Sequence, residues 1–181
     1  MLTCEPTSLY VPIGNKRGIG ACENNLSATF LSIGDVENAE RHCNAAIKNA
    51  TDTLQSIEQT AAAAGGVVVG SVGSCSSTTG RDLLRAQQTL SDRKGNLAVI
   101  YLQRNNFTEA FRVLEEVLVQ DRSNMYFRGL VVKHGTLGHY YLKQGELASA
   151  ERVFLRALDV IRNREEYRDI AWSNQVNTTT H

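Results

Sequence analysis

Three stretches of the sequence carry the same pattern of apolar, aromatic and small residues, centred on Leu26, Leu97 and Leu137. In each one an aromatic residue follows the leucine by four positions, a glycine or asparagine by eight and an alanine by thirteen. Apolar residues recur at helical spacing on both sides of that glycine or asparagine, which predicts two antiparallel helices per stretch. Because one such pair cannot bury its apolar face alone, we expect the three pairs to stack on one another.

Residues that end and begin helices occupy the same register in these stretches. Gly34 and Gly145 follow a first helix, and glycine adopts the left-handed conformation of a helix C-terminus without steric cost. Asp35 and Asn106 come next in their copies, where a short polar side chain can accept a hydrogen bond from the free amides of the second helix. Glu109 is a candidate capping-box partner of Asn106. These signals predict helical hairpins with tight turns.

The spacing of the three leucines predicts one insertion. Leu97 and Leu137 are 40 residues apart, whereas Leu26 and Leu97 are 71 apart, an excess of 31 residues. Residues 65–80 account for 16 of these; they are rich in glycine and serine, so we expect a flexible loop. The remainder would extend the helix on each side by about two turns at ~3.6 residues per turn. We therefore expect two long helices that project past the stack.

These boundaries predict the domain organisation of an all-α chain. A helical repeat domain covers residues 15–174, with repeats at about 15–62, 81–122 and 124–163. Residues 1–14 contain both prolines and are expected to form a loose N-terminal arm. Residues 164–174 resemble the start of a fourth unit, so we expect a C-terminal capping helix there, followed by a tail at 175–181. The alternative is that the chain is a fragment of a longer array.

Composition excludes several classes of function. The 19 basic and 19 acidic residues balance, so no electrostatic argument favours a nucleic acid or an anionic membrane as partner. We find no signal peptide, and the longest apolar run is about half the length that spans a bilayer. Four cysteines without a C-x-x-C motif, one of them at the helical core position Cys43, favour a reducing compartment. We therefore expect a cytoplasmic protein.

No arrangement of residues predicts catalysis or a metal site. His42 and Cys43 are adjacent, so on a helix they point to different faces and cannot bind one ion together. The glycine-rich stretch at 65–71 lacks the Gly-Lys-Ser/Thr of a phosphate loop. We expect no enzyme activity, no catalytic residues, no metal and no cofactor.

The three copies resemble tetratricopeptide repeats. With Gly20, Ser91 and Val131 counted as position 1, small or apolar residues fall at the repeat's signature positions, although no proline closes any copy. The 40-residue period is similar to the extended repeats of cell-polarity adaptors and kinesin light chains, as is the segment N-K-R-G-I-G-A-C-E-N-N-L at 15–26. The resemblance implies a right-handed superhelical stack of three antiparallel hairpins, an α-solenoid whose first helices line a concave groove.

The same resemblance implies which residues face that groove. Carried over by repeat position, the candidate peptide-binding residues are Asn24, Ala28, Ser32, Asn96, Val99, Gln103, His139 and Lys143. This surface is close to neutral, and asparagine and glutamine amides can bond the main chain of an extended peptide. The five-residue carboxylate clamp of chaperone-binding members would fall on Asn24, Ala28, Asn96, Val132 and Thr136, of which only Asn96 matches.

Two functions remain open at this stage. The first is a scaffold or adaptor that binds a protein or peptide in the groove, with no nucleic acid and no membrane involved. The second is a structural segment of a longer array that forms homo-oligomers, or the regulatory part of a larger signalling protein. The balanced net charge leaves little repulsion against self-association.

Overall fold

The computed structural model describes residues 16–63 and 78–163, and all of their regular structure is helical. The helices are α1 Lys16–Ser32, α2 Val36–Ala63, α3 Thr78–Gln103, α4 Phe107–Ser123, α5 Phe127–Lys143 and α6 Leu147–Arg162. Consecutive helices pack as three hairpins, α1 with α2, α3 with α4 and α5 with α6. The predicted arm, most of the predicted loop, the capping helix and the tail lie outside the described residues.

The turns between the paired helices contain the glycine, asparagine and aspartate residues that were assigned to them from the sequence. Gly34, Asn105 and Gly145 have φ angles of 82°, 57° and 78°, all in the left-handed region. Asp35 caps α2, because its Oδ1 accepts a hydrogen bond of 3.1 Å from the backbone N–H of Asn38.

Asn106 caps α4 in the same way. Its Oδ1 accepts a hydrogen bond of 3.3 Å from the backbone N–H of Glu109. The Glu109 carboxylate, expected to complete a capping box, accepts hydrogen bonds from Arg112 instead. The third turn has no side-chain cap, since Glu146 precedes α6 without such a bond.

The two helices around the insertion are the longest. Helices α2 and α3 have 28 and 26 residues, whereas the other four have 16 or 17. Helix α3 begins at Thr78, so Thr78 to Gly80 form its first turn instead of the end of the predicted loop. Threonine and glycine disfavour helix interiors, but the first turn tolerates them because its amides have no helical partner in any case.

Two apolar clusters hold the hairpins together in sequence order. The first joins Ala39 and Cys43 of α2 to Leu97 and Ile100 of α3. The second joins α3, α4, α5 and α6 through Ala98, Val113, Leu114, Leu137 and Val153. Tyr101 packs against both clusters. The expected stack of paired helices is therefore confirmed: each hairpin covers the apolar flank of its neighbour.

Small residues allow the two helices of each hairpin to approach closely. Ser27, Ala98 and Gly138 occupy the position directly after the central leucine, and all three are buried. The Ser27 hydroxyl donates a hydrogen bond of 2.8 Å to the Ala39 carbonyl across the first hairpin. In the third hairpin a Cβ on Gly138 would overlap the ring of Phe154. A larger side chain at this position would force the paired helices apart.

Candidate protein-binding groove

Helices α1, α3 and α5, the first helices of the hairpins, contact one another in that order. Helix α3 packs directly against α5. Helix α1 is joined to α3 by polar contacts: Asn96 Nδ2 donates a hydrogen bond of 2.9 Å to Asn24 Oδ1, and Arg17 lies 4.0 Å from Asp82. This arrangement forms the wall on which the predicted groove residues sit, and we call it the groove surface.

Most of the predicted groove residues are accessible on that surface. Ala28, Ser32, Asn96, Gln103, His139 and Lys143 are exposed, while Asn24 and Val99 are half-buried. The ring of His139 meets Phe154 edge-on at 5.7 Å, which restrains it on the side of α6. The Asn24–Asn96 pair uses one carbonyl and one N–H. The side-chain NH2 of Asn24 and the side-chain carbonyl of Asn96 therefore remain available to a ligand.

Other residues at equivalent repeat positions behave differently in the three copies. Leu102 is buried in the core, and Gly95 is buried against the side chain of Lys133, so neither contributes to an accessible surface. On α5, by contrast, Val132 and Leu142 are 56% and 42% exposed. These two apolar side chains occupy groove-facing repeat positions and flank the polar residues of the third copy.

A buried polar cluster lies beside the groove surface, where α3, α4 and α5 meet. Lys133 is only 1% exposed, and its Nζ lies 2.6 Å from Asp92 Oδ1 and 3.3 Å from Asp121 Oδ2. Ser91 donates a hydrogen bond of 2.5 Å to the other oxygen of Asp121. Tyr126 donates one of 2.8 Å to Asp92, and its ring lies 5.4 Å from the Lys133 ammonium. We call these five residues the lysine junction.

Burial sets the ionisation of this cluster. Desolvation raises the pKa of Asp121 above its usual value, although the bond from Ser91 and the charge of Lys133 oppose that shift. Burial and the bond to the Asp92 carboxylate raise the pKa of Tyr126 to about 12, so its hydroxyl stays protonated and donates. The cluster therefore acts as a structural ion pair that fixes α5 against α3 and α4.

Two family models match the second and third hairpins. Both are described as tetratricopeptide repeat, and they cover residues 92–119 and 134–164. The chain contains tetratricopeptide repeats. No curated protein and no solved structure matches it. The finer resemblance to the extended repeats of polarity adaptors and kinesin light chains stays a prediction. We call the hairpins α1–α2, α3–α4 and α5–α6 repeats 1, 2 and 3.

A second buried cation lies between repeats 1 and 2. Arg93 is 8% exposed, and its Nη1 donates a hydrogen bond of 2.7 Å to the Ala46 carbonyl of α2. Its guanidinium also crosses the face of α1, where a Cβ on Gly20 would lie 2.8 Å from Nη1. Burial lowers the pKa of Arg93. Within the described residues, no carboxylate forms an ion pair with it.

The sequence contained a signal for these two cations that was missed. Arg93 and Lys133 each precede the central leucine of their repeat by four positions. A charged residue recurring at a position between core residues indicates a buried, partnered charge more strongly than a single occurrence would. The apolar positions of the repeats do not reveal this recurring charge.

His42 and Cys43, adjacent in α2, both have structural surroundings. His42 Nδ1 lies 2.6 Å from a Glu23 carboxylate oxygen, and its ring stacks on Phe30. Desolvation raises the pKa of the Cys43 thiol to about 11, so it stays protonated inside the core. Over 16–63 and 78–163, no group of three His, Cys, Asp or Glu residues could hold a metal ion. None of the helices described is both long and apolar enough to cross a bilayer.

Proposed function

We propose that this tetratricopeptide repeat protein binds an extended peptide, or an extended segment of a partner protein, on its groove surface. Tetratricopeptide repeats generally mediate protein–protein interaction, so a protein partner is the expected class. The position of the binding site and the form of the ligand are the parts that we propose. The buried free thiol of Cys43 supports a reducing location such as the cytoplasm.

One observation carries this proposal: two exposed apolar side chains on α5 stand among polar residues that can bond a peptide main chain. Val132 and Leu142 are large and accessible, and Gln103, His139 and Lys143 are exposed on the same wall. Binding sites combine apolar contacts with a few placed polar groups. An extended peptide would satisfy both, since its side chains alternate direction and its main chain offers donors and acceptors.

The lack of strong charge on the groove surface indicates the charge of the ligand. Of the residues matching the chaperone clamp, Ala28, Val132 and Thr136 carry no charge, so a terminal carboxylate would find no cation there. Lys143 is the one cation among the predicted groove residues. We therefore propose a neutral or mildly acidic segment with apolar side chains as the ligand.

The proposal can be tested with peptides selected from a displayed library against the purified full chain. Replacing both apolar residues, Val132→Glu with Leu142→Glu, should weaken the affinity of the selected peptides at least roughly tenfold, or about 1.4 kcal/mol. Fluorescence anisotropy would measure the dissociation constants.

Leu155 on α6 provides the matched control, because it is also a leucine and is 55% exposed, but lies on a second helix away from the groove surface. Leu155→Glu should leave the affinity within about twofold. Peptides that bind equally well to the groove double variant and to the original protein would contradict the proposal.

A second candidate function, self-association, is favoured by the outer face of α6. Leu155, Leu158 and Ile161 are exposed there, while Val153, Ala157 and Val160 on the opposite side of the helix are buried. An apolar stripe of this kind can pair with a second copy of the chain. Light scattering of the full chain would test this, and a monomer at millimolar concentration would contradict it.

A further inference from the structure

The two buried cations, Arg93 and Lys133, occupy the same repeat position but have different surroundings. Lys133 has two carboxylates, a hydroxyl and a tyrosine ring around it. Counted from position 1 of each repeat (Gly20, Ser91 and Val131), small residues occupy the four corresponding positions at the junction of repeats 1 and 2. Ala21 replaces Asp92, Ala50 replaces Asp121, Gly20 replaces Ser91 and Ala86 replaces Tyr126.

The loss of those side chains leaves a cavity at the Arg93 position. It has a volume of about 200 Å³, and Ala50 and Ala86 line it together with Arg93. Its other charged lining residues are Arg17 of α1 and Arg85 of α3. We call these five residues the arginine junction. The cavity thus lies where repeats 2 and 3 place an aspartate and a tyrosine, and three arginines line it, the buried Arg93 and the exposed Arg17 and Arg85.

The charge in this cavity is not balanced by the described part of the chain. The Asp82 carboxylate lies 4.0 Å from Arg17 at the exposed rim and makes no ion pair with Arg93. The Ala46 carbonyl accepts one Arg93 hydrogen bond but carries no charge. A guanidinium removed from water without a counter-charge is unfavourable, and a paired anion is the usual remedy.

The threonines of the cavity do not supply this anion-binding chemistry. The hydroxyls of Thr53 and Thr89 donate hydrogen bonds to Asn49 and Arg85 carbonyls of their own helices. Recognition would therefore come from the guanidinium groups, whose planar donors match the paired oxygens of a carboxylate or a phosphate.

We propose that the arginine junction binds an oxyanion, the carboxylate or phosphate group of a ligand, which takes the place that Asp121 holds beside Lys133. None of these five residues is a predicted groove residue, so the proposal does not depend on the proposed peptide binding. It also differs from the chaperone clamp, whose positions it does not share.

The proposal can be tested by titrating the full chain with inorganic phosphate and, separately, acetate, at constant ionic strength maintained with chloride. Two-dimensional nuclear magnetic resonance would follow the arginine Nε–H signals, with the Arg93 signal identified by its loss in Arg93→Met. We expect saturable shifts of the Arg93 signal with at least one of the two anions. Comparing their dissociation constants would separate a phosphate ligand from a carboxylate ligand.

Two variants should weaken that binding at least tenfold by different routes. Arg93→Met removes the cation. Ala50→Asp introduces a carboxylate at the register position of Asp121, so it should occupy the site from within and also raise the urea midpoint of unfolding. Since Ala50→Asp retains all three arginines, it keeps the proposal testable if Arg93→Met fails to fold.

Lys94→Met is the matched control, because it removes one positive charge from the next residue of α3. Lys94 is paired with Glu116, at 2.5 Å, and does not line the cavity. Its loss should leave the dissociation constant within twofold. Equal weakening by Lys94→Met and Arg93→Met would overturn the proposal, because it would indicate a general effect of charge. Unchanged binding in Ala50→Asp, or shifts that never saturate, would overturn it too.

Discussion

At the lysine junction between repeats 2 and 3 a buried cation faces two carboxylates, whereas at the arginine junction between repeats 1 and 2 a buried cation forms no ion pair with any carboxylate of residues 16–63 and 78–163. The two junctions share the repeat position of the charge. The residues at the corresponding positions around it are polar or aromatic in one and small in the other. One position of the repeat can therefore support either a closed ion pair or an open cavity.

The energetic consequence differs between the two junctions. Asp121 is 1% exposed, so the lysine junction holds a carboxylate that would be isolated in the protein interior if Lys133 were removed. The arginine junction has no such dependent carboxylate. Removing one partner of a buried pair costs far more than removing a buried charge that has no partner.

The largest expected effect follows from this difference. Lys133→Met keeps the length and apolar stem of the side chain but leaves Asp121 without its cation. It should lower the free energy of unfolding by about 3–5 kcal/mol. Arg93→Met is the matched substitution at the other junction and should change it by less than about 1 kcal/mol, in either direction. Urea unfolding followed by circular dichroism would measure both.

A double variant keeps this comparison testable if Lys133→Met does not fold. Lys133→Met with Asp121→Asn removes both charges, and replacing a whole buried ion pair by neutral groups is often close to neutral. Most of the lost stability should therefore return. Equal losses for Lys133→Met and Arg93→Met would show that the two junctions do not differ in the way their contacts indicate.

The hairpins and their stacking could be predicted from sequence, because they depend on periodic and local signals. The central leucines, the alanines thirteen residues later and the left-handed Gly34 and Gly145 each act within one repeat. The partners of Lys133 could not be read in this way. Asp92 lies 41 residues before it and Asp121 lies on the intervening helix, so the cluster depends on how adjacent repeats pack.

Repeat position indicated the exposure of most of the predicted groove residues, but it did not indicate how equivalent positions differ between the copies. Gln103 and Lys143 are accessible, as a register argument implies, but Leu102 is buried while Leu142 at the equivalent position is exposed. Repeat 3 follows repeat 2 and covers it, so the same position meets a neighbour in one copy and solvent in another. The repeat position alone does not predict this difference in exposure, because it depends on whether another repeat follows in the stack.

An intermediate effect is expected from Tyr126→Phe, which tests the part of the lysine junction that lies nearest to solvent. The variant retains the ring beside Lys133 but loses the hydrogen bond of 2.8 Å to Asp92. Because Asp92 is about half exposed and can bind water instead, the loss should be about 1 kcal/mol. Urea unfolding would measure it.

Ala86 occupies the position at the arginine junction that corresponds to Tyr126. Ala86→Gly would therefore serve as a control for truncating a side chain in a helix. That control should cost a similar amount, up to about 1 kcal/mol, through helix propensity alone. A loss above about 3 kcal/mol for Tyr126→Phe would contradict this description, because it would mean that the hydroxyl, and not the ammonium, holds the cluster together.

The smallest of the three effects is the loss of folding stability in acid that His134 causes. His134 follows Lys133, is buried, and donates a hydrogen bond of 2.7 Å from Nδ1 to the Leu130 carbonyl, whereas its counterpart after Arg93 is Lys94, which pairs with Glu116. Burial lowers the pKa of His134 from the ordinary value of 6.5, with a smaller contribution from Arg122 and Arg156.

Because the pKa of His134 is lower in the folded chain, the folded state becomes less stable as the pH falls. Below pH 6.5 the unfolded chain takes up a proton at His134 more readily than the folded chain does, so acidification favours unfolding. The stability that neutral His134 provides is complete above pH 6.5 and is lost as the pH falls through its lower folded-state pKa. His134→Gln retains a donor and cannot titrate, so it should lose less stability than the original protein between pH 7.5 and pH 5.5. His42 and His139 are present in both proteins and cancel in the difference; an identical pH dependence would mean that His134 is not the group that makes repeat 3 acid-sensitive.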